Sequence, residues 1–592
     1  MNRTSLTFLS GAASLLVYLA AVPVSAQQAA APQPSSEPVL YLDQGWSQED
    51  REWYYHFSQG SAAIYYDIFL NLEAAGSQEL FRSEANSGRL GLISEAANPG
   101  ANPDGLPIGI SKTVIDTPRW KGQETGEFAG LTCAACHVSQ WNYEGKHIRI
   151  EGGVGNRFDF MAYVQALDDA LQATLSDGAK FDRLAARLKA SSADAKKDLH
   201  ERLERDAARV HYYRNRTMAS PSSWGPGRLD AVSLIFNRVT GETTGIPENW
   251  TTPIAPIKPP FLWNAPQGEW TQWNAVMWDP IVRNVGETLG VFLPMNLHAK
   301  TPAEGLFESN AAILELQRVE NQLDRLAPPQ WPEEVFGKID RAKAQAGKAL
   351  FEENCASCHN VWPYRWTEPN KYGKRFILVG LVPQTYVGTD STQFQVVRPW
   401  SITGHLSNYL PPDLRGKAAV PGGSFLFLLQ DTLVRTALSK LKLTDTEAAN
   451  VHGYRELPEP TPPQGVYKAA PRDGVWATPP FLHNGSVPNL YEMLIPAKDR
   501  TKKFYVGREF DPVKVGVDTS AGSGKFLMDT TLLGNSNAGH TFEDGPRGNG
   551  VVGPLLTEDQ RWALVEYLKS IPEEPGRITP FGGFPEGRLP QP

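Results

Sequence analysis

The placement of the cysteines constrains this chain more than any other feature of its sequence. Four cysteines are present, and they form two copies of one pattern, C-x-x-C-H. The first copy stands in "LTCAACHVSQ" and the second in "NCASCHN". The residues concerned are Cys133, Cys136 and His137, then Cys355, Cys358 and His359. Any fold of this chain must therefore hold two thiols beside one imidazole at two separate places.

Several kinds of site use paired cysteines, and the histidine distinguishes among them. Two disulfides would use all four thiols, as an oxidising compartment favours, but would leave the histidines without a role. A Cys₄ zinc site brings its halves within about 15–20 residues, and a thioredoxin-like pair needs a βαβ setting that neither flank suggests. In haem c the thiols add to two vinyl groups and the adjacent imidazole ligates iron. We therefore predict two covalently bound haems, with His137 and His359 as iron ligands.

The N-terminal segment predicts export of the chain. "MNRTSLTFLSGAASLLVYLAAVPVSAQQ" has Arg3 in a short positive start, an apolar run, and small residues Val24 and Ala26 before a cut ahead of Gln27. An uncleaved N-terminal anchor is the alternative interpretation. No later segment is long enough to span a bilayer. We expect a mature protein that is periplasmic or secreted.

Length and composition exclude several classes of function. A chain of 592 residues is too long for one ordinary core. Hydrophobic residues make up 41% and charged residues 21%, as in soluble proteins. The net charge of −8 argues against a nucleic-acid binder, which would show a basic surface. "GNGVVG" at 548–553 matches a dinucleotide-binding pattern but follows a loop and runs into a proline, so we discount it.

Breaks in composition and periodicity predict the domain organisation. A signal peptide at 1–26 is followed by a Pro/Ala/Ser-rich linker at 27–39. Residues 40–326 are predicted as an N-terminal haem domain and 335–571 as a C-terminal cytochrome c-like haem domain, with an irregular tail at 572–592. Helical patterns are predicted at 157–175, over the mixed-charge run 178–216, and near 308–326. The last of these carries Ile313, Leu316, Val319, Leu323 and Leu326 at helical spacing.

Two further helices are predicted around the second motif. "IDRAKAQAGKALFEENCASCH" should place Ile339, Ala342, Ala346 and Leu350 on one face. "TEDQRWALVEYLKSIP" opens with a capping box from Thr557 to Gln560. This arrangement resembles small c-type cytochromes, in which a helix with Gly and Phe before C-x-x-C-H crosses a last helix bearing an aromatic residue. The corresponding residues here are Gly347, Phe351 and Tyr567. Two unrelated amphipathic helices are the alternative.

The chain as a whole resembles a family of di-haem cytochromes. "TPPFLHNGSVPNLYEML" at 478–494 is similar to a segment of bacterial cytochrome c peroxidases and of the enzymes that mature methylamine dehydrogenase. A closer resemblance is to di-haem rubber oxygenases, through five segments in order along the chain. These are "NPDGLPIGI", "GLTCAACHVSQ", "FLWNAPQ", "VRNVGETLGVF" and "GNSNAGHTF". The resemblance implies a mainly α protein with two cytochrome c-like haem domains, long loops and little β structure.

The resemblance also implies that one iron is open and the other is saturated. In such proteins the N-terminal haem meets the oxidant, while the C-terminal iron has a second protein ligand. His540 in "GNSNAGHTF" is our candidate for that ligand, and Met528 and Met493 are the alternative ligands. The simplest alternative is that His540 is a surface histidine that binds no iron. His483 in "FLHNGS" is expected to hydrogen-bond near the haems. No motif places His147 or His298 at the first haem.

The pocket of the first haem is expected to draw on the aromatic run at 259–280. Phe261, Trp263 and Trp278 are the candidates, although packing in the core would explain them equally well. An apolar pocket would suit an apolar alkene substrate, whereas a peroxidase needs an acid–base residue above the iron. Glu269 and Asp279 flank the run, and the sequence does not place either one.

These observations favour an exported di-haem oxidoreductase that activates dioxygen or peroxide at the N-terminal haem. Oxidative cleavage of an apolar polymer such as rubber is the first candidate reaction. Peroxide reduction of the cytochrome c peroxidase type and electron transfer alone are the alternatives. The expected cofactors are two haem c groups, and the peroxidase relatives suggest calcium as well. The expected partners are a small oxidant and either an apolar polymer or a redox protein.

Overall fold

The structure is a computed structural model that describes residues 39–457, 460–520, 522 and 524–572. The predicted signal peptide, nearly all of the linker and the tail beyond 572 lie outside these residues. The described residues belong to one compact unit. Within it, the division into haem domains 40–326 and 335–571 stays a prediction. No helix among the described residues is both long and apolar enough to cross a membrane.

The helices in the described part of the chain are distributed along its whole length. They are numbered in chain order: α1 Gln48–His56, α2 Tyr66–Asn71, α3 Glu84–Arg89, α4 Ala134–His137, α5 Phe160–Ser176, α6 Gly178–Arg187, α7 Ala193–Tyr212, α8 Ala231–Phe236, α9 Pro280–Gly290, α10 Ile313–Leu323, α11 Glu333–Phe336, α12 Arg341–Asn354, α13 Gln384–Val387, α14 Gly422–Leu438, α15 Asp445–Val451, α16 Leu490–Met493 and α17 Glu558–Ser570. Tyr213–Thr217 and Asn237–Glu242 form π-helical turns.

The strands are short and are paired in many small sheets. They are β1 Val39–Tyr41, β2 Ile64–Tyr65, β3 Ile110–Ile115, β4 Gly126–Leu131, β5 Val138–Tyr143, β6 Lys146–Glu151, β7 Met295–Asn296, β8 Glu308–Ser309, β9 Gly380–Pro383, β10 Trp400–Ile402, β11 Ala419–Pro421, β12 Val466–Ala469, β13 Lys503–Gly507, β14 Phe510–Asp511, β15 Gly516–Val517, β16 Gly524–Asp529, β17 Thr541–Phe542 and β18 Val551–Gly553. Two sheets have three strands, in the orders β1-β6-β5 and β2-β4-β3, and the others are strand pairs.

The expectation of a mainly α protein with little β structure is wrong. Helices account for 37% of the structure and strands for 16%, which is close to an ordinary mixed composition. The missed strands are brief, and several alternate in burial. In β3, for example, Ile110, Thr113 and Ile115 are buried while Lys112 and Val114 are exposed. Alternation over so few residues is hidden beside the longer helical patterns on which the prediction relied.

The longer helical predictions are confirmed. α5 begins after Asp159, whose side chain accepts a hydrogen bond from the Ala162 amide at 3.0 Å. α6 and α7 cover most of the mixed-charge run, and α7 buries an apolar stripe together with Asp206, while most of its other charged residues face solvent. α10 spans Ile313–Leu323, shorter than expected, and buries the predicted apolar residues. Leu326 is also buried, just beyond the helix.

The first motif lies between two strands rather than at the end of a long helix. β4 delivers the chain to Cys133, α4 forms a single turn that ends at His137, and β5 follows directly. Gly109 packs against this turn, and a Cβ there would lie 2.3 Å from the Cα of Ala135. The close approach explains a glycine with a φ of +91° at this position. The motif is thereby held against the three-stranded sheet β2-β4-β3.

α12 and α17 cross beside the second motif, as predicted. A Cβ on Gly347 would lie 2.0 Å from the carbonyl oxygen of Ala563, so only glycine permits this approach. The rings of Phe351 and Tyr567 meet with centroids 5.3 Å apart. The predicted face of α12 is wrong in part, because Ala342 and Ala346 are exposed. The buried residues of this helix are Ala344, Gly347, Phe351 and Asn354.

The capping box predicted for α17 is confirmed. The Thr557 amide donates to the Gln560 side chain at 2.9 Å, and the Gln560 amide donates to the Thr557 hydroxyl at 3.3 Å. These bonds satisfy two amides that a helix start would otherwise leave unpaired. The helix therefore begins where it can lie across α12.

Candidate functional site

The second motif follows directly from the end of α12. Cys355 closes the helix by donating its amide to the Phe351 carbonyl at 2.8 Å. The amides of Cys358 and His359 then both donate to the Cys355 carbonyl, at 3.1 and 2.9 Å. This tight turn places the two thiols and the imidazole on one side of the chain.

His359 and His540 face each other across a gap. Their ring centroids lie 6.2 Å apart with an interplanar angle of 47°. Metal–imidazole bonds are about 2 Å long, and a ring nitrogen lies about 1 Å from its ring centroid, so two imidazoles on opposite sides of one iron have centroids roughly 6 Å apart. The residues therefore fit a haem iron held between them.

The surroundings of both rings favour their neutral, metal-binding form. Nδ1 of His359 lies 3.1 Å from the carbonyl oxygen of Ala470, which directs Nε2 toward the gap. Burial, with a smaller contribution from Arg472, lowers the pKa of His359 well below its usual value. Burial also lowers the pKa of His540 to about 4. A neutral imidazole is the form that ligates a metal.

A tightly held loop presents His540. The backbone φ of His540 is +41°, a left-handed conformation that side chains larger than glycine adopt rarely. Its amide donates to the carbonyl of Val387 at 2.7 Å. The buried Arg500 side chain donates to the carbonyls of Asn537, Gly539 and His540 at 2.7, 2.9 and 2.7 Å. These bonds fix the loop where strain would otherwise release it.

The alternative ligands for the second site have other surroundings. Met528 is buried in β16, where it packs with Phe504 and Val506 in a separate cluster. Met493 lies at the end of α16, and its carbonyl accepts a hydrogen bond from Arg500. No ring or hydrogen-bond contact joins either methionine to His359 among the described residues. His540 is thus the candidate whose placement fits a second ligand.

The first motif repeats the same backbone turn. The amides of Cys136 and His137 donate to the Cys133 carbonyl at 3.1 and 2.9 Å. The described residues include all four cysteines, and none forms a disulfide. Burial raises the pKa of the Cys136 thiol to about 12, so without a partner it would stay protonated.

A recess of about 740 Å³, part of which is open to solvent, lies at the first motif and encloses a cavity of about 50 Å³. Its wall includes Cys133 and His137 together with residues of the aromatic run and of β12. His137 is the single histidine among the described residues that line it. The lining residues are Cys133, His137, Pro260, Phe261, Leu262, Trp263, Asn264, Ala265, Gly268, Trp270, Thr271, Gln272, Arg283, Asn284, Glu287, Val319, Glu320, Leu323, Val379, Lys468, Ala470 and Pro471.

His137 is partly buried, and its pKa is also lowered. Burial lowers its pKa to about 4, with a further contribution from Arg283. The carbonyls of Gly153 and Pro260 oppose this shift, although neither forms a hydrogen bond of good geometry with Nδ1. An imidazole beside two thiols at the wall of a cavity suits covalent attachment and ligation of a haem.

Two of the three predicted pocket aromatics line this cavity. Phe261 stacks on Trp263, with ring centroids 4.7 Å apart. Trp278 lies outside the lining, against Trp270 and under the guanidinium of Arg455 at 4.9 Å. Fewer of the predicted aromatic residues therefore line the cavity than the sequence alone suggests.

The cavity also has a polar wall that the sequence analysis missed. Gln272, Arg283, Asn284, Glu287, Glu320 and Lys468 line it. They come from four separate segments of the chain, so no local sequence pattern predicts them. The glycine-rich "VRNVGETLG" of α9 contributes three of them, and that segment was noted only for its family resemblance. Burial raises the pKa of Glu287 and lowers that of Lys468 to about 7.

The acidic residues proposed from the sequence have other roles. Asp279 caps α9 by accepting from the Ile281 amide at 2.8 Å, and it also pairs with His452. Glu269 is half-buried with a raised pKa and does not line the cavity. Glu287 and Glu320 occupy the wall instead.

The remaining histidines lie away from the first cavity. Nδ1 of His147 lies 2.8 Å from the Asn142 side chain on β5. His298 is near Gly245. His483 stacks on Tyr467 with centroids 4.3 Å apart, and its Nε2 lies 3.1 Å from the Tyr467 hydroxyl. Tyr467 adjoins Lys468, so His483 lies one layer behind the cavity wall.

One short segment links the two sites. Lys468, Ala470 and Pro471 line the first cavity, while the Ala470 carbonyl faces His359. The indole of Trp263, in the first cavity, donates to the carbonyl of Asp473 at 3.0 Å. The chain at 468–473 is therefore in contact with both sites.

Metal binding by side chains alone has no support in the described residues. They contain no group of three or more His, Cys, Asp and Glu side chains that could hold a metal ion. The calcium suggested by the peroxidase relatives has no candidate site there. The chemistry of both motifs is that of haem attachment, in which the porphyrin supplies most of the iron ligands.

Comparison with known proteins places the chain in a family. It is 34% identical over 580 residues to "Uncharacterized protein y4iJ" of Sinorhizobium fredii, covering 91% of this chain and 94% of that protein. The chain belongs to the y4iJ family. A second relative of this y4iJ-family chain is "Uncharacterized protein y4iM" of the same organism, 27% identical over 371 residues. That alignment covers 59% of the chain and 72% of y4iM.

A segment of this y4iJ-family chain also matches a cytochrome family. Residues 466–505 match the family described as "RoxA-like, cytochrome c-like". The match supports a relation to the rubber oxygenase-like cytochromes and implies haem c. It includes the linking segment 468–473, His483 and Arg500, all of which lie at or beside the two sites.

Proposed function

We propose that this y4iJ-family protein is an exported di-haem c-type oxidoreductase. Cys133, Cys136 and His137 hold the haem that meets a small oxidant, dioxygen or peroxide. The second haem is held by Cys355, Cys358 and His359, with His540 on its opposite side. The observation that carries the proposal is the contrast between the two sites: a pair of facing imidazoles at one, and a cavity with one histidine at the other.

The protein's own residues give each site a different role. His359 and His540 would both ligate a haem iron bound at the second site, and an iron held by two protein ligands would serve to pass electrons. At the first site, His137 leaves the far side of the cavity to the oxidant. When bound, the haem there supplies an iron with a vacant position at which the oxidant reacts. Phe261 and Trp263 limit the water that reaches this space.

The segment at 468–473 supports electron transfer between the two sites. Trp263 lines the first cavity and is bonded to the segment that contacts His359 through Ala470. An electron donor protein or small reductant would reduce the second site, and the short packed path through 468–473 would carry electrons onward. Electron transfer alone would not require a cavity at the first motif.

Two reactions of this class fit different parts of the cavity wall. Oxidative cleavage of an apolar polymer such as rubber fits the aromatic part and the similarity to RoxA-like cytochromes. Reduction of peroxide fits the carboxylates of Glu287 and Glu320, since cleaving an O–O bond with proton uptake needs an acid–base group. The same cavity serves either reaction.

Activity assays of the haem-loaded protein test the proposal. The protein is incubated with latex under air, and separately with peroxide and a reduced cytochrome. We expect turnover in one assay, and its loss in His137→Gly with the spectrum of the second haem unchanged. The matched control is His298→Gly, which removes a histidine away from the cavity. Turnover in His137→Gly at the wild-type rate would contradict the assignment of the open site.

A further inference from the structure

A second, smaller cavity lies behind the first. Its volume is about 10 Å³, room for about one water molecule, and it is lined by Pro266, Pro280, Glu320, Asn321, Asp324, Lys374, Asn450, Gly453 and Tyr454. Asn321, Asn450 and Gly453 are half-exposed, so the cavity reaches solvent on that side. Glu320 lines this cavity and the first one as well. A buried carboxylate therefore stands between a space open to solvent and the space beside His137.

The two oxygens of Glu320 have different surroundings. Oε1 accepts a hydrogen bond from the Asn284 side chain at 2.8 Å and forms an ion pair with Arg283. Oε2 is buried and has no hydrogen-bond partner among the described residues. The whole residue is 6% exposed. Because an unsatisfied buried carboxylate oxygen is costly, we expect a water molecule or a proton at Oε2.

Other ionisable groups lie on the outer and the inner side of Glu320. Arg283 and Glu287 are four residues apart on α9, and Glu320 and Asp324 are four apart at the end of α10, so each pair shares a helix face. Asp324 lies in the outer cavity and Glu287 in the inner one. Burial raises the pKa of Asp324 to about 6 and raises that of Glu287, which brings both closer to neutral pH.

We propose that Glu320 relays protons from the outer cavity to the oxidant in the inner cavity, with Asp324 on the outer side and Glu287 on the inner side. This inference rests on the proposed function and specifies it, because a proton route is needed for some reactions only. Reduction of hydrogen peroxide consumes two electrons and two protons and yields two waters. Cleavage of an alkene by dioxygen into two carbonyl groups consumes neither. The route therefore assigns peroxide reduction to this site.

The charges of the groups around Glu320 balance one another. Arg283, Lys374 and Arg455 balance the carboxylates of Glu287, Glu320 and Asp324, so the cluster is neutral when all six are ionised. Uptake of one proton by a carboxylate leaves one excess positive charge, which favours passing the proton on. Tyr454 faces the cluster from the outer cavity beside Asp324, and Lys468 faces it from the inner cavity near Arg283.

Substitution of Glu320 tests the route directly. Glu320→Gln keeps the size and an acceptor for Arg283 and Asn284 but cannot carry a proton. We expect kcat/KM for peroxide to fall about 10²-fold, with haem content and both haem spectra unchanged. Glu320→Asp should recover part of this loss. Glu201→Gln, at an exposed position on α7, is the matched control and should behave like the wild type.

A binding measurement provides a readout independent of turnover. Hydrogen cyanide binds as the anion, so its proton must pass to a base in the cavity. We expect slower cyanide association in Glu320→Gln and a flatter pH profile than in the wild type. Asp324→Asn should slow association in the same direction, and it serves as a second test if the Glu320 variant does not fold.

The possible results distinguish a failure of the proton route from a failure of the proposed function. Cyanide association and peroxide turnover in Glu320→Gln and Asp324→Asn within twofold of the wild type would overturn the route. A wild type that binds cyanide and cleaves latex but does not reduce peroxide would also overturn it, while leaving the open site intact. Failure of the wild type to bind cyanide at all would contradict the open site itself.

Discussion

At the scale of single residues, the second site depends on how the chain holds His540. The left-handed backbone at this residue is strained, and the hydrogen bonds from Arg500 to three carbonyls hold it in place. The C-x-x-C-H residues were predictable, because the haem attachment chemistry requires a fixed local spacing. The orientation of His540 toward His359 depends on a contact between residues far apart in the chain, so the family resemblance was the main guide to it in the sequence.

Removal of the His540 imidazole should change the spin state of one iron. In His540→Ala we expect the second haem to lose its low-spin ferric signal and gain a high-spin one, since one axial position becomes vacant. His540→Met should restore a low-spin iron with a higher reduction potential. Electron paramagnetic resonance and potentiometric titration measure these changes. An unchanged low-spin signal in His540→Ala would show that another residue ligates the second iron.

The indole of Trp263 should matter for transfer between the two sites. Trp263→Phe keeps an aromatic ring but leaves the Asp473 carbonyl without its donor, at a cost of about 1–3 kcal/mol. We expect slower electron equilibration between the haems, measured by rapid reduction of the second site. The matched control is Trp273→Phe, which removes a similar bond to the Lys258 carbonyl at 2.7 Å but does not line the cavity. Equal rates in the two variants would contradict this role.

At the scale of secondary structure, long periodic helices were predictable and short strands were not. α5, α10, α12 and α17 carry apolar residues over three or more turns, which is enough to establish a period. Strands of two to six residues leave too few positions to distinguish alternation from chance. The polar wall of the first cavity could not be predicted from the sequence either. Glu287 and Glu320 lie on different helices, which only tertiary packing brings together.

The crossing of α12 and α17 gives a prediction about stability. Gly347→Val would place side-chain atoms against the Ala563 carbonyl, and we expect the free energy of unfolding to fall by roughly 2–4 kcal/mol. Ala346→Val is the matched control, because it introduces the same side chain at the neighbouring exposed position. Chemical denaturation compares the two variants. A similar loss in both would mean that helix propensity, rather than the crossing, explains the effect.

At the scale of the whole molecule, the two sites form one connected system. The segment 468–473 contacts both of them, and its neighbourhood coincides with the RoxA-like match at 466–505. Helices α9 and α10, strand β12 and the loop that carries the aromatic run together line the cavity of the first site, which explains why the chain carries more structure than two haem motifs need. The predicted division into two haem domains remains to be tested by separate expression of 40–326 and 335–571.

Haem content should follow the two motifs independently. The Cys355→Ala, Cys358→Ala double variant should lose one covalently bound haem, and the Cys133→Ala, Cys136→Ala variant should lose the other. Intact mass spectrometry of the exported protein measures both. Loss of both haems from either double variant would indicate that the sites assemble only together. A wild-type mass without added porphyrin would exclude haem c.

The most direct test of the account is the coordination of the two irons in the ferric wild-type protein. Electron paramagnetic resonance, recorded with and without cyanide, distinguishes an iron with two protein ligands from one with a vacant position. We predict one low-spin signal that cyanide does not change, from the iron between His359 and His540, and one signal that cyanide converts to low spin, from the iron at His137. Two low-spin signals that are both insensitive to cyanide would contradict the account.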